Sequence, residues 1–245
     1  METNYFHFHE VRPGTADFDD YQEARYDVFC EELGRVEPTG QFNRRGHSIE
    51  TDRFDAYSRH FVARHKISNV IAGFMRVIMP NCMGLNVIDR YTIDQPLPYG
   101  VSMSEISEIS RLAVTPVFRR RHSDEGKPVQ GDPETEMTGR PQGMRQHQPE
   151  LVLGLYREVY RLCQSEGVNH CVAAMDRRFS RLLNTLGFPF LAVGPVNETV
   201  SPARRVYLIS AQEMENSLGT RENFILHFMQ TQLERSQPAE LALAA

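Results

Sequence analysis

The stretch SEISRLAVTPVFRRR brings acidic, hydroxyl and basic side chains together and ends in three consecutive arginines. Glu108 and Arg111 stand three positions apart within its apolar part. An arginine turn after a strand can bind an anion, because guanidinium groups donate charge-assisted hydrogen bonds to phosphate or carboxylate oxygens. The alternative for Arg119, Arg120 and Arg121 is a solvated turn that balances nearby acids.

Two further arginines fall on apolar faces. A helical pattern over residues 17–33 puts Arg25 on the apolar stripe, one turn before Phe29. Alternation in the strand pattern of residues 70–79 puts Arg76 on an apolar face. A charge at such a position must be paired or must line a cleft, because burying an isolated charge is costly.

These side chains need a sheet and flanking helices to position them, and the periodicities predict both. The predicted elements begin with a strand (5–11), a helix (17–33), a β-hairpin (59–65 with 70–79) and a strand (107–114), which leads into the basic turn. A helix (150–166), a strand (170–175), a helix (177–186), two further strands (188–193 and 204–210) and a final helix (220–234) follow. This order predicts a mixed α/β sheet in a single domain spanning residues 1–245. Residues 122–149 read as a flexible polar insertion, and residues 220–245 as a C-terminal helix and tail.

Composition argues against several kinds of partner. The chain has 245 residues, a net charge of −5 and a pI of about 6.0, so no nucleic-acid partner is expected. The four cysteines lack CxxC spacing, no metal site is predicted, and exposed strand histidines are favoured over ligand pairs for His7/His9 and His60/His65. No apolar run reaches membrane-spanning length and no signal-peptide pattern is present, so we expect a cytoplasmic protein.

The segment RLAVTPVFRRR, followed by a helix, a short strand and a helix ending LLNTLGF, resembles the Gcn5-related N-acetyltransferase (GNAT) fold, a three-layer α/β/α arrangement. The resemblance implies that the turn after the fourth strand binds the phosphate of an acyl carrier, and that a main-chain N–H near Val114 binds the carbonyl or the pantetheine arm. The turn lacks the glycine-rich continuation that a coenzyme A pyrophosphate favours. A single phosphopantetheine phosphate on acyl carrier protein is therefore the expected ligand of Arg119, Arg120 and Arg121.

Arg25-x-x-x-Phe29, Glu50-x-Asp52-x-x-Asp55, Arg76 and Glu108-x-x-Arg111, in that order, resemble the acyl-homoserine-lactone synthases. The segments YQEARYDVFCEELG, DAYSRHFVA, IAGFMRVIMP and RRFSRLLNTLGFPFLAVGP resemble the PEP-CTERM/exosortase system-associated acyltransferases, which belong with the N-acyl amino acid synthases. This resemblance implies transfer of a fatty acyl group from acyl carrier protein to the amine of an amino acid or related small molecule.

Aminolysis of a thioester needs a proton acceptor for the amine, donors near the developing oxyanion and an apolar slot for the acyl chain. Glu108 is the candidate base, directly or through water, and with Arg111 it forms the candidate catalytic pair. The alternative for Glu108 is a structural salt bridge. The acyl slot is expected between the fourth and fifth strands, lined by Leu112, Val114, Val172 and Ala174.

Arg25, Phe29, Asp52, Asp55 and Arg76 are the candidate substrate-binding residues. The two aspartates would orient the amine or support the binding loop, and their alternative is an ordinary acidic loop. The arginines would form a buried network with these acids or grip a substrate carboxylate. Phe29 is expected to pack in the cleft wall.

The sequence is also compatible with two alternative functions. The first is a coenzyme A-dependent N-acetyltransferase, and the second is a non-catalytic acyl-binding protein on the same fold. Neither reading includes a permanently bound cofactor, and the co-substrate is acyl-phosphopantetheine or acyl-CoA.

Overall fold

The computed structural model describes residues 3–119, 148–220 and 224–230, and its centre is a seven-stranded sheet. The strands are β1 (Phe6–Val11), β2 (Ser58–His65), β3 (Ile71–Ile78), β4 (Ile106–Val114), β5 (His170–Met175), β6 (Leu191–Ala192) and β7 (Arg205–Ser210). The helices are α1 (Ala16–Tyr26), α2 (Gln148–Glu166), α3 (Arg177–Thr185), α4 (Ala211–Gly219) and α5 (Phe224–Gln230), and a π-helix, Asp27–Glu32, continues α1. The sheet order is β1-β2-β3-β4-β5-β7-β6, in which β4 and β5 are parallel and the other neighbours antiparallel.

Helices cover both faces of this sheet. Val62 and Phe74 pack under α1, whereas their chain neighbours Ala63 and Met75 belong to the core under α2. Alternate residues of a strand point to opposite faces, so the β2–β3 hairpin supplies one core to each side. The mixed α/β sheet in three layers is the architecture that the sequence predicts.

Local signals in the sequence set the helix ends. Thr15 Oγ1 accepts a hydrogen bond from the Phe18 N–H at 3.2 Å and begins α1, and the Asp176 side chain caps α3 in the same way. Gly154 lets α2 lie directly on β1, since a Cβ there would stand 2.1 Å from the Phe8 ring.

The pair β4–β5 is splayed. Its parallel register covers Ile106↔His170, Ser107↔Cys171 and Glu108↔Val172, close to the N-terminal end of both strands. Beyond Glu108 the strands separate, so the second half of β4 has β3 on one side and an open cleft on the other. This cleft positions the site described below.

Several predictions differ from the structure. Strand structure in the segment 188–193 is confined to Leu191–Ala192, because Phe188, Phe190 and Val193 pack individually into the core. The helical spacing over residues 177–186 predicts an apolar stripe of Phe179, Leu182, Leu183 and Leu186, but Leu182 is 53% exposed. The helix α4 was not predicted. The helix α5 (Phe224–Gln230) lies within the predicted helix of residues 220–234, of which 221–223 and 231–234 lie outside the described residues.

The expected exposed histidines His60 and His65 are instead buried, each 1% exposed. The predicted insertion lies outside the described residues except for its last two, which begin α2, and the tail beyond residue 230 also lies outside them. Among the helices of the described part, none is long and apolar enough to cross a membrane.

Candidate active site

Six charged side chains beside β3 and β4 alternate in sign around a closed ring, called the charge ring below: Arg25, Glu50, Arg111, Asp52, Arg76 and Asp55. Each carboxylate bridges two guanidinium groups, so the ring is electrically neutral. A buried ion pair is stable only if its remaining donors and acceptors are also satisfied, and bridging does this for the carboxylates. The predicted network of arginines and acids is therefore present.

Distances around the ring are short. Arg25 Nε donates to Glu50 Oε2 at 2.5 Å, and Arg25 Nη1 donates to Asp55 Oδ1 at 2.9 Å. Arg76 Nη1 donates to Asp55 Oδ1 and to Asp52 Oδ1, both at 2.6 Å. Arg111 Nη2 closes the ring with hydrogen bonds of 2.9 Å to Glu50 Oε1 and to Asp52 Oδ2.

A β-bulge in β4 brings Arg111 to the ring. The β3–β4 register shifts, so that Phe74 opposes Ala113 while Arg76 opposes Ser110. Arg111 has a φ of 51°, in the left-handed region, which costs a non-glycine residue about 1–2 kcal/mol. Regular alternation would put Arg111 on the face opposite Glu108, and the bulge removes that separation.

The ring holds its acids ionised. Burial acts to raise the pKa of Asp55, but the charges of Arg25 and Arg76 outweigh it and lower the pKa to about 2. Burial likewise opposes ionisation of Glu50 and Asp52, and the adjoining arginines still lower the pKa of both.

Tyr21 and His60 contact the charge ring through hydrogen bonds. His60 Nε2 lies 3.1 Å from the Asp55 carbonyl oxygen, which can only accept, so this nitrogen carries the proton. His60 Nδ1 then accepts from the Tyr21 hydroxyl at 3.1 Å. Burial lowers the pKa of His60 to about 4, so the imidazole is neutral near pH 7.

Glu108 stands apart from the ring. Its Oε2 accepts from the Val87 N–H at 2.8 Å, and its Oε1 accepts from the Asn86 side-chain amide at 3.4 Å. Glu108 forms no salt bridge within residues 3–119, 148–220 and 224–230, and Arg111 pairs with Glu50 and Asp52 instead. The described residues therefore do not form the structural salt bridge that was the alternative for Glu108. Burial raises the pKa of this carboxyl, although the Val87 N–H and the Arg76 charge act against the shift. A raised pKa is the property that a carboxylate needs in order to act as a general base.

A cavity of about 480 Å³ fills the cleft between β4 and β5, and Glu108 is part of its wall. Phe29 lies in the wall, as predicted, with the Arg111 guanidinium carbon 5.5 Å from its ring centre. The apolar lining includes Leu112, Val114 and Ala174 of the expected acyl slot, together with Val152, Tyr156, Ala173 and Phe179. Val172, also expected there, instead packs in the core between β4 and β7.

Four of the candidate substrate-binding residues lie behind the cavity. Arg25, Asp52, Asp55 and Arg76 belong to the charge ring but not to the cavity lining, whereas Arg111 belongs to both. Arg111 is therefore the residue through which the charge ring reaches the cavity, and its ion pairs with Glu50 and Asp52 hold it in place.

The basic turn reaches the same cavity. Arg119 lines it, donates to the Val114 carbonyl oxygen through Nη2 at 2.7 Å, and pairs with Glu32 at 2.5 Å. Arg120 and Arg121 lie outside the described residues.

Sequence reasoning did not single out several participants. Glu50, although part of the quoted acidic pattern, is the most buried acid of the ring at 1% exposure. Asn86 and Val87 hold Glu108 from a loop that has no local signal for the contact. Arg35, Arg90 and Arg204 also line the cavity, and they too come from loops.

Comparisons with known proteins agree with this architecture. Residues 24–126 match a family model described as an acetyltransferase (GNAT) domain. No curated protein matches the sequence at a significant level.

Solved structures of three proteins resemble the whole arrangement. TofI in a ternary complex with an inhibitor and MTA is 14% identical, with 87% of this chain and 96% of that chain covered and a TM-score of 0.57. BjaI, a CoA-dependent acyl-homoserine lactone synthase solved with SAM and isopentyl-CoA, is 16% identical, with 88% of each chain covered and a TM-score of 0.50. FeeM, an N-acyl amino acid synthase from uncultured soil microbes, is 11% identical, with 91% and 97% covered and a TM-score of 0.50. The chain therefore shares the overall fold of these three proteins, and the family model gives that fold as GNAT.

Proposed function

We propose that the protein is an N-acyltransferase that moves a fatty acyl group from the phosphopantetheine thioester of acyl carrier protein to the amine of an amino acid or related small molecule. One observation carries this proposal. A buried carboxyl group with a raised pKa, Glu108, faces a cavity that opens between splayed parallel strands and is otherwise largely apolar along β4, β5 and α2.

The reaction follows from these neighbours. The amine nitrogen attacks the thioester carbonyl carbon, and Glu108 accepts the proton that the nitrogen loses, directly or through a water. The new C–N bond gives the amide, and the C–S bond breaks to release the pantetheine thiol, which takes up a proton. The acyl chain lies along Leu112, Val114 and Ala174, and main-chain N–H groups of β4 beyond the last β5 pair are the candidate oxyanion donors.

Arg111 acts in this scheme as a positioning residue. Its guanidinium donates to Glu50 and Asp52, its backbone forms the bulge, and its side chain covers Phe29 in the cavity wall. Breaking the ring would release the bulge and the Glu50–Asp55 loop together, so the cavity edge would lose its geometry.

The acyl donor could be a thioester of acyl carrier protein or of coenzyme A, and these two donors define two versions of the proposed function. The absence of a glycine-rich turn after β4 favours carrier protein, whereas the likeness to BjaI, which is CoA-dependent, favours a coenzyme A thioester. Incubation with hexadecanoyl-carrier protein or hexadecanoyl-CoA, each with pooled amino acids, tests both by mass spectrometry of the amides. We expect N-hexadecanoyl products from the carrier-protein arm. Products from the CoA arm alone would reassign the donor, and ligand binding without any product would leave the acyl-binding alternative.

A further inference from the structure

Three arginines that the catalytic scheme does not use line the cavity. Arg35 follows the π-helix, Arg90 follows the short 3-10 helix Asn86–Asp89, and Arg204 directly precedes β7. They are far apart in the chain, so only the fold brings them together. We call them the mouth arginines.

Backbone contacts through Asn197 hold Arg90 and Arg204 near each other. The Asn197 side-chain amide donates to the Arg90 carbonyl oxygen at 2.8 Å, and the Asn197 N–H donates to the Arg204 carbonyl oxygen at 2.6 Å. Partial burial and the charges of Arg204 and Arg119 lower the pKa of Arg35, so Arg204 carries a like charge near Arg35.

The positive charge there is not balanced by neighbouring acids. Some surface arginines of the fold have carboxylate partners, such as Arg53 with Asp89 and Arg59 with Glu10. No acid lies within ion-pair distance of Arg35, Arg90 or Arg204 in the described segments 3–119, 148–220 and 224–230.

Asp176 is the acid whose charge acts on Arg35, but its Oδ1 already accepts two N–H groups at the start of α3. Three guanidinium charges and one carboxylate leave about two positive charges for a ligand to neutralise.

One mouth arginine, Arg90, lies close in the chain to the residues that hold Glu108, and all three line the same cavity as Glu108. Asn86 and Val87, which hold Glu108, lie only a few residues before Arg90 in the same loop. An anionic group bound by Arg90 and Arg204 would therefore bring an attached amine toward Glu108, on the acceptor side of the reaction.

We infer that the mouth arginines bind the acidic groups of the acceptor, so the acceptor is a small amine with two anionic groups, called a dianion below, either an amino dicarboxylic acid or a phosphorylated amino acid. This inference rests on the proposed function for the role of the amine. Arginine suits both anions, because its planar fork donates two hydrogen bonds to a carboxylate or a phosphate.

Equilibrium binding tests the inference without requiring turnover. Titration calorimetry would compare glutamate and O-phosphoserine with their less charged counterparts, glutamine and serine. We expect at least one dianion to bind roughly tenfold or more tightly than its counterpart, and to lose affinity as salt rises. The dianion that binds more tightly shows whether the second anionic group of the acceptor is a carboxylate or a phosphate. Equal affinity for charged and neutral counterparts would overturn the inference.

Variants assign the binding to the mouth arginines. Arg90→Gln and Arg204→Gln should each weaken binding of the preferred dianion roughly tenfold and leave its neutral counterpart almost unchanged. Arg181→Gln is the matched control, because Arg181 is exposed on α3 and does not line the cavity. Undiminished dianion binding by both mouth variants would contradict the inference.

Acyl-transfer assays separate this inference from the proposed function. Amide products formed equally well from glutamine and glutamate would overturn the acceptor class and leave acyl transfer standing. An Arg90→Gln effect on the KM of carrier protein alone would also overturn it, because the arginines would then serve the donor. Dianion binding that depends on Arg90, without any amide from any donor, would support the anion site and overturn acyl transfer.

Discussion

Arg111 and Glu50 are joined by two hydrogen bonds, from Nε to Oε2 at 3.1 Å and from Nη2 to Oε1 at 2.9 Å, across 61 positions of sequence. The pair ties the bulge of β4 to the loop that carries Asp52 and Asp55. Because Arg25 shares Glu50, the same pair also anchors α1. Three parts of the chain therefore depend on one buried carboxylate.

Glu50→Gln should destabilise the protein strongly. The substitution removes one of the two carboxylates that pair with the fully buried Arg25 and leaves the charge ring with one positive charge in excess. An uncompensated buried charge costs about 3–5 kcal/mol of unfolding free energy. Urea denaturation measures the loss. Asp89→Asn is the matched control, because its partner Arg53 is exposed and such pairs contribute about 1 kcal/mol or less. Similar losses in the two variants would contradict the importance of the ring.

His60 should make the folded state sensitive to mild acid. Its pKa is about 4 when folded, below the ordinary value of 6.5, so the unfolded chain binds more protons between these values. His60 therefore contributes stability that is present above pH 6.5 and is lost as the pH falls toward 4, by about 1.4 kcal/mol per pH unit.

Denaturation of wild type and His60→Gln at pH 7.0, 5.5 and 4.5, values chosen to span roughly that interval, isolates this contribution. The stability difference between the two proteins should shrink as the pH falls. His7→Gln, at an exposed position of β1, is the control and should keep the wild-type slope. A difference that does not change with pH would show that His60 is not held neutral.

Val152→Phe should shorten the acyl chain that the enzyme accepts. Val152 is half-buried on α2 and lines the cavity, so a larger ring there takes up space in the proposed slot. The ratio of rates with hexadecanoyl and octanoyl donors should fall roughly tenfold or more, since one lost fit of this kind is worth about 1–3 kcal/mol. Leu153→Phe, half-buried on the same helix but outside the cavity, should leave the ratio near that of wild type.

Replacing Arg119, Arg120 and Arg121 with Ala should raise the KM for carrier protein, roughly tenfold at low salt, because the turn supplies charge for an acidic partner. The difference from wild type should diminish as salt is added, since screening weakens the wild-type attraction. Arg181→Ala controls for loss of a surface charge elsewhere. An unchanged KM would assign the turn to the solvated alternative.

Much of this arrangement was accessible from sequence, because apolar periodicity marks the sheet strands and both large helices. The same periodicity identified Arg25 and Arg76 as charges on apolar faces, and both are buried and paired. Alternation could not predict that Arg111 joins them, since the bulge that turns it has no signature when the left-handed residue is not glycine. The convergence of Arg90 and Arg204 depends on loop contacts through Asn197, which no local pattern encodes.

The single-turnover rate of Glu108→Gln with hexadecanoyl-carrier protein tests the central claim most directly. Glutamine keeps the shape and can still accept from the Val87 N–H, but it cannot take the amine proton. We predict a rate roughly 10²–10⁴-fold below wild type. Burial raises the pKa of Glu108 in the folded state, so the carboxyl contributes stability at a pH below its ordinary pKa. This contribution is lost as the pH rises through the folded-state pKa. The Glu108→Gln variant, which carries no charge there, should therefore be at least as stable as wild type at pH 7–8. A folded Glu108→Gln variant that keeps the wild-type rate would contradict the account.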